Sequence, residues 1–348
     1  MTLLGLLLIT LGGFAAGSFY IPFKKVRNWA WESYWIVNGL FSWIIMPWLI
    51  GFITVPQLLS LLGHTPVASV IWSYIFGVLW GIGGLTFGLS MRYLGMSLGY
   101  AIALGFCAAF GTIAPPIYDG TFVELMNRAS GLTTLGGVLV CLVGIGICGW
   151  AGMSKEKELP EEKKKEAIEE FNFAKGLLVA VCAGVMSACM AFGFIAGEII
   201  AKVSVEHGAH SLWANNPVLT VILAGGFTTN LIWCIALNIK NRSLKNYINS
   251  GDAPLVGNYI FCALAGIMWY LQFMFYGMGR PKMGKYDFAS WSVLMALIIV
   301  FSNMWGLIFH EWKGSSRRTL KIITSGILVV ILSIVLIGAG AYLKSIGK

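Results

Sequence analysis

An all-α membrane protein, with ten transmembrane helices arranged as two inverted five-helix repeats, is the fold this sequence predicts. Three observations carry the expectation. The 348-residue chain is 57% hydrophobic and only 11% charged, against about 25% charged in soluble domains. Its charges leave long gaps. No Asp, Glu, Lys or Arg occurs in 1–23, 33–91, 93–118, 129–154, 176–197, 207–239, 253–279, 288–310 or 322–343. The apolar stretches also fall five on each side of one linker, Lys155 to Lys175, which holds 13 of the 39 charged residues. Five crossings is an odd number, so the second half enters the bilayer from the side opposite to the first. Two oppositely inserted halves suggest a machine that opens alternately to two sides.

A spanning helix needs about 20 predominantly apolar residues. The first lies near 2–22. It lacks a basic n-region before it, so it reads as a span and not a cleaved signal, although Ala15-Ala16-Gly17 has the look of a weak cleavage site. The 33–91 gap holds two spans, near 33–54 and 67–90, with the turn-formers Val55-Pro56-Gln57 and Gly63-His64-Thr65-Pro66 between them. The fourth runs near 94–117, where Pro115-Pro116 is expected to end or break it, because proline lacks a backbone donor. The fifth, near 132–152, closes the first repeat, 1–152. Residues 153–174 form a charged cytoplasmic linker of alternating acids and bases. The second repeat, 175–348, carries spans near 175–200, 216–239, 256–278, 287–309 and 321–343. A ten-residue alternating pattern, as a β-barrel would need, is not what these segments show.

Small residues recur at helical spacing, as in Gly77-xxx-Gly81, Gly84-xxx-Gly88 and Gly95-xxx-Gly99. They predict close helix packing, or faces on which helices pivot. At an offset of 189 the halves echo each other: Gly77 with Gly266, Trp80 with Trp269, Gly88 with Gly277 and Gly95 with Gly284. Of the 24 Lys and Arg residues, 17 lie in loops after odd-numbered spans. The positive-inside rule then puts those loops in the cytoplasm and both termini outside. The net charge of +9 sits in the same loops and suits anionic headgroups. It forms no long basic stripe of the kind nucleic acid requires. The lipid bilayer is thus the expected partner, with no nucleic acid and no obligate protein partner. The seven cysteines lie in apolar spans and read as packing residues. No nucleotide or phosphate loop is present and no cofactor is implied. His207-x-x-His210 is a weak metal signal, so no metal site is assigned.

Ionisable groups inside a bilayer are costly, about 2.5–3.5 kcal/mol or more each, so they are default functional candidates. Glu32 opens the second span in Trp29-Ala30-Trp31-Glu32-Ser33-Tyr34-Trp35. It is either a helix-terminal acid among interfacial aromatics or a protonatable group bordering a cavity, with Trp35 one turn away. Asp287 opens the ninth span and is either a helix cap or a second proton carrier. Glu198 has Lys202 one turn on, and Glu311 sits beside Trp312 as an interfacial anchor. Arg92 is the only charge between Glu32 and Asp119, and reads as a topology anchor or a gate. Within the eighth span, Trp269-Tyr270-Leu271-Gln272-Phe273 places an amide in lipid, which is costly without a partner. Sugars present flat C–H faces and hydroxyl edges, suited to rings and to amide or indole groups. Trp80, Trp269, Tyr270 and Gln272 therefore suit a carbohydrate, although an aromatic stripe also suits plain packing.

These stretches together resemble the L-rhamnose–proton symporter family of the drug/metabolite transporter superfamily. The likeness rests on Phe19-Tyr20-Ile21-Pro22-Phe23-Lys24-Lys25-Val26, Trp31-Glu32-x-x-Trp35 and Ser42-Trp43-Ile44-Ile45-Met46-Pro47-Trp48. It continues through Trp80-Gly81-Ile82-Gly83, Met91-Arg92-Tyr93-Leu94-Gly95-Met96-Ser97, Glu170-Phe171-Asn172, Met268-Trp269-Tyr270-Leu271-Gln272-Phe273 and Tyr286-Asp287-x-x-Ser290-Trp291. Glu198 departs from the family pattern, and 55–66 and 203–215 match poorly. The resemblance implies uptake of a deoxy-sugar with protons at the bacterial inner membrane. On it, Glu32 and Asp287 are expected to carry the proton. Trp35, Trp80, Trp269, Tyr270 and Gln272 are expected to bind the sugar, and Arg92 and Tyr20 to gate. An exporter in the same superfamily is the alternative. A membrane-embedded enzyme would need a clustered nucleophile, base or metal, which these residues do not supply.

Overall fold

A computed structural model describes residues 2–94, 96–158, 172–248, 254–310 and 312–345. The described residues are helical, with no strand among them. Ten helices are long and apolar enough to cross a membrane: α1 (Leu3–Phe23), α2 (Trp31–Thr54), α3 (Val67–Ser90), α4 (Ala101–Tyr118), α5 (Ala129–Lys157), α6 (Phe173–Glu206), α7 (Ser211–Asn241), α8 (Leu255–Gly284), α9 (Asp287–Ile308) and α10 (Arg317–Leu343). Helix is the outcome because lipid offers the backbone no hydrogen bonds, so each span satisfies its own. The radial distribution of polarity agrees. Ser33, Asn38, Ser42, Thr112, Thr134 and Ser292 are fully buried, while Leu3, Leu178, Val256 and Leu328 are exposed.

Several local expectations are corrected. The turn-like 55–66 segment holds a short helix, Leu58–His64. The helix Met96–Tyr118 runs through Pro115 and Pro116 and stops two residues later. The tandem prolines thus stand in the last turn of the span, in keeping with the expected end, and no break falls within it. α2 is interrupted by a π-helical turn at Leu40–Ile45. Pro47 accounts for it: proline offers no N–H to the Trp43 carbonyl four residues back, and its ring crowds that carbonyl. Widening the preceding turn relieves the crowding. The end of α8 and the start of α9 form one 3-10 run, Arg280–Ala289, and the regular α-helix of α9 starts at Ser290. The linker residues 159–171, together with Gly95, Asp252 and Glu311, lie outside the described residues.

The chain divides into two units. The first comprises Met1–Gly17, Gly83–Ala188 and Gly279–Lys348; the second comprises Ser18–Ile82 and Cys189–Met278. The boundaries fall within α1, α3, α6 and α8. α4, α5, α9 and α10 lie wholly in the first unit, and α2 and α7 wholly in the second.

In the first unit α5 packs along α10. A Cβ on Gly137 would sit 2.7 Å from Ile337 Cγ1, and one on Gly144 would sit 2.6 Å from Val330 Cγ2. Only glycine admits that approach. α4 meets α9 where the Trp291 indole donates to the Cys107 carbonyl (3.2 Å), and where the Thr112 and Ser292 hydroxyls lie 2.7 Å apart. At the end of α5, Glu158 caps the start of α10. Its carboxylate accepts from the Ser316 N–H at 2.7 Å, the Ser316 hydroxyl at 2.5 Å and the Thr319 hydroxyl at 2.6 Å. The Ser316 and Thr319 hydroxyls, then the Ser316 amide, hold the Glu158 carboxyl below its ordinary value of 4.5. A carboxyl lowered by folding stabilises the fold above its unfolded value and stops doing so as pH falls through the folded one. Glu158→Gln is therefore expected to lower thermal stability at pH 7, and the gap to the unmodified protein should close in acid. Melting curves at both pH values check this; equal curves at pH 7 would remove the cap.

In the second unit, Gly77 of α3 and Gly225 of α7 interlock: an added Cβ would strike the carbonyls of Ile222 and Tyr74 respectively. Gly81 approaches Gly226 in the same seam. Gly84 and Gly88 do not pack in this way, for a Cβ there would meet nothing within 4 Å among the described residues. Asn215 Nδ2 donates to the Gly277 carbonyl (2.7 Å), and Asn216 Nδ2 to the Thr54 hydroxyl (2.8 Å), tying α7 to α8 and α2.

Candidate functional site

The second unit holds an aromatic cluster built by α1, α2, α3 and α8. Trp269 stands edge-on to Trp35 (5.5 Å), Trp43 (6.2 Å) and Phe19 (4.2 Å). Trp43 also meets Trp35 at 6.0 Å and Trp80 at 5.8 Å, and Trp80 meets Phe273 at 5.3 Å. Near-perpendicular rings at these spacings are the favoured quadrupole geometry. Of the expected sugar-binding residues, Trp35, Trp80 and Trp269 are thus brought together, with Trp43 as the hub. The sequence marks Trp43 only as part of the stretch Ser42–Trp48, and its shared contacts depend on helix placement. The Trp35 indole N–H is already used, donating to Asn230 Oδ1 at 3.0 Å. Asn230 is oriented in turn by donating to the Gly226 carbonyl at 2.8 Å. Tyr270 is fully buried and its hydroxyl has no hydrogen-bond partner among the described residues. Gln272 is also buried, one turn along α8 from Trp269. Tyr20 is half exposed, its ring 4.0 Å from Phe19 at the edge of the cluster.

Glu32 lies one turn before Trp35 on α2 and is buried. Its Oε1 accepts from the Ser243 hydroxyl at 2.6 Å and from Asn241 Nδ2 at 3.0 Å. The network continues. Ser243 Oγ lies 3.0 Å from Asn238 Oδ1, the Ser33 hydroxyl reaches Asn238 and Asn246, and the Ala30 N–H donates to Asn246 Oδ1. The start of α2 is thereby fastened to the end of α7 and the turn after it. Among the described residues, the hydrogen-bond partners of the carboxylate, Ser243 and Asn241, are neutral.

Asp287 belongs to the first unit. The helix-cap expectation is corrected: Asp287 Oδ2 accepts both Nε and Nη2 of Arg280, each at 3.0 Å. A guanidinium within reach is a stronger partner than a backbone amide. Arg280 was not singled out from the sequence, where it reads as one more loop cation. Arg92 lies on the helix Val67–Leu94, and its side chain is outside the described residues. Glu198 is exposed at the first turn of the helix Glu198–Glu206. The histidine ring nitrogens of His207 and His210 engage the backbone of Val203 and Leu212. No group of three or more metal-ligating side chains is found among the described residues, and the seven cysteines are free. Asn230, Asn238, Asn241 and Ser243 were also missed. Asn230 and Asn238 had a signal, since both are amides inside the charge-free stretch 207–239.

Comparison with known proteins adds an independent line. The family described as L-rhamnose-proton symport protein (RhaT) matches residues 1–342. The L-rhamnose-proton symporter of Yersinia pestis (strain Pestoides F) is 37% identical over 341 residues, covering 97% of this chain and 98% of its own. That of Yersinia pseudotuberculosis serotype O:1b (strain IP 31758) has the same identity and coverage. With ten membrane-spanning helices and a match from end to end, this chain belongs to the L-rhamnose-proton symport protein family of multi-pass membrane transport proteins.

Proposed function

We propose that this protein takes up L-rhamnose together with protons across the bacterial inner membrane by alternating access. The observation that carries the reading is the full-length similarity to relatives named L-rhamnose-proton symporters. The aromatic cluster supports a sugar as cargo, because indole faces suit C–H surfaces and polar edges suit hydroxyls. Glu32 and Asp287 are the proposed proton carriers. Trp35, Trp80, Trp269, Tyr270 and Gln272 are the proposed sugar contacts, and Arg92 and Tyr20 the proposed gates. Gln272→Ala is expected to weaken sugar binding about 3- to 10-fold, the worth of a neutral hydrogen bond, without shifting the melting temperature. Titration calorimetry on purified protein reads this, and an unchanged affinity would take Gln272 out of the site.

Residues 1–152 and 175–348 are proposed as inverted repeats, with 153–174 as the cytoplasmic connector. Two features support it. Helices five apart are divided alike between the units: α1 and α6 both begin in the first and end in the second, while α3 and α8 do the reverse. The sequence echo is also a packing echo. Gly77 of α3 abuts α7, and its counterpart Gly266 of α8 abuts α2, where an added Cβ would lie 2.6 Å from the Asn38 carbonyl. Both termini are placed outside by the loop charges, so a C-terminal reporter active only in the cytoplasm would overturn that orientation.

A potential of 100 mV supplies about 2.3 kcal/mol per charge, which sustains roughly 50-fold accumulation per proton. The test is uptake of labelled L-rhamnose into proteoliposomes with an imposed pH gradient, with and without sodium. Accumulation that follows the proton gradient and ignores sodium supports the proposal. Absence of rhamnose uptake, or extrusion against the proton gradient, overturns it.

A further inference from the structure

Five side chains at the α2–α8 seam carry buried polar atoms with no hydrogen-bond partner among the described residues: Asn38 (both amide atoms), Ser42, Trp43, Trp269 and Tyr270. Asn38, Ser42 and Tyr270 are 0% exposed. Asn38 and Ser42 stand one turn apart on α2. Gly266 and Tyr270 stand one turn apart on α8. The two helices meet closely there, since a Cβ on Gly266 would lie 2.6 Å from the Asn38 carbonyl and 3.2 Å from the Ser42 amide nitrogen. Trp43 and Trp269, whose indole N–H groups are also unpartnered, touch ring to ring at 6.2 Å. Buried groups whose hydrogen bonds are left unmade bear their full desolvation penalty. Native proteins keep few of them, so several converging on one seam call for a reason.

Neighbouring amides show that the fold can satisfy such groups when it has cause to. Asn230 and Asn238 are each bonded at both ends of their amides. Asn38 is bonded at neither. The unpartnered set offers an amide donor and acceptor side by side, two hydroxyls that both donate and accept, and two indole donors. That complement suits vicinal hydroxyls, with indole faces adjacent for the ring's C–H surface.

We infer that Asn38, Ser42 and Trp43 of α2, facing Tyr270 of α8, form the wall that reads the hydroxyl pattern of a neutral sugar ring. This rests on the proposed sugar uptake and adds α2 as the helix that sets specificity. A site built to hydrogen-bond a hydroxyl rejects analogues lacking it, because its own polar groups are then left unpaired.

The test uses full-length protein in nanodiscs, with L-rhamnose and its monodeoxy analogues as probes. Tyr270→Phe, Ser42→Ala and the near-isosteric Asn38→Leu each remove polar atoms with little change of volume. Each is expected to weaken rhamnose binding about 5- to 10-fold. The melting temperature of the sugar-free protein should hold or rise, because an unsatisfied group has been removed. For each variant, one deoxy analogue should bind variant and unmodified protein equally. Unchanged rhamnose affinity in all three variants overturns the inference and leaves the uptake reading standing. So does weakening accompanied by a lower melting temperature with no analogue equalised. Unmodified protein that binds no sugar overturns the uptake reading and this inference together.

Discussion

Glu32→Gln is expected to abolish concentrative, pH-driven uptake while sugar exchange between equal pools persists. The amide keeps an oxygen for the Ser243 hydroxyl and for Asn241 Nδ2, so the fastening of α2 to α7 survives. What it loses is the ability to change charge. The surroundings already tolerate two arrangements. With Glu32 ionised, Ser243 donates to it. With Glu32 protonated, the acid is itself a donor, and the Ser243 hydroxyl is free to turn to Asn238 Oδ1 at 3.0 Å. A proton thus alters the contact between two helices without leaving a buried group unpaired, as a device biased by protonation requires. Asp287 differs in kind. Its carboxylate is held by a guanidinium and not by neutral groups. Asp287→Asn is the companion variant. Proton flux driven by sugar, measured beside exchange in proteoliposomes, separates the two acids. Coupled uptake retained in both variants would remove both from the coupling step.

Trp269→Ala is expected to cost about 3 kcal/mol of stability and to weaken sugar binding at least 10-fold. The indole joins Phe19, Trp35 and Trp43. Removing a large aromatic from such a contact set typically costs about 3–5 kcal/mol, and Trp269 is only partly buried, which sets the lower figure. Trp269→Phe keeps a ring and loses the N–H. It should recover most of the stability and only part of the affinity. Chemical denaturation beside a binding titration gives both numbers. Full affinity in the alanine variant would make the cluster a packing core and nothing more.

The difference between legible and illegible features follows from interaction range. Span number and position were readable because lipid imposes one local requirement, about 20 apolar residues without charge. α3, expected near 67–90, is Val67–Ser90; α8, expected near 256–278, is Leu255–Gly284. Deviations arise where a local rule meets a specific neighbour. Pro47 lies inside a span, and the response is a π-helical turn at Leu40–Ile45 and not an end. Asp287 had the position of a helix cap, yet Arg280, seven residues back, holds it. Gly84 and Gly88 have the spacing of packing glycines, and a Cβ on either would meet nothing within 4 Å among the described residues.

Composition and charge spacing determined that the chain is a bundle of ten membrane helices. Ordered motifs such as Trp31-Glu32-x-x-Trp35 and Met268-Trp269-Tyr270-Leu271-Gln272-Phe273 determined its kinship. Tertiary structure alone decided the partners. It made Trp43 the hub of the aromatic cluster, gave Glu32 neutral partners from α7 and the turn after it, and left Asn38, Ser42 and Tyr270 buried without partners among the described residues. The reason is physical. Hydropathy acts on each segment separately and is written along the chain. A hydrogen bond depends on two side chains about 3 Å apart, and for Glu32 and Ser243 those lie 211 residues apart in sequence.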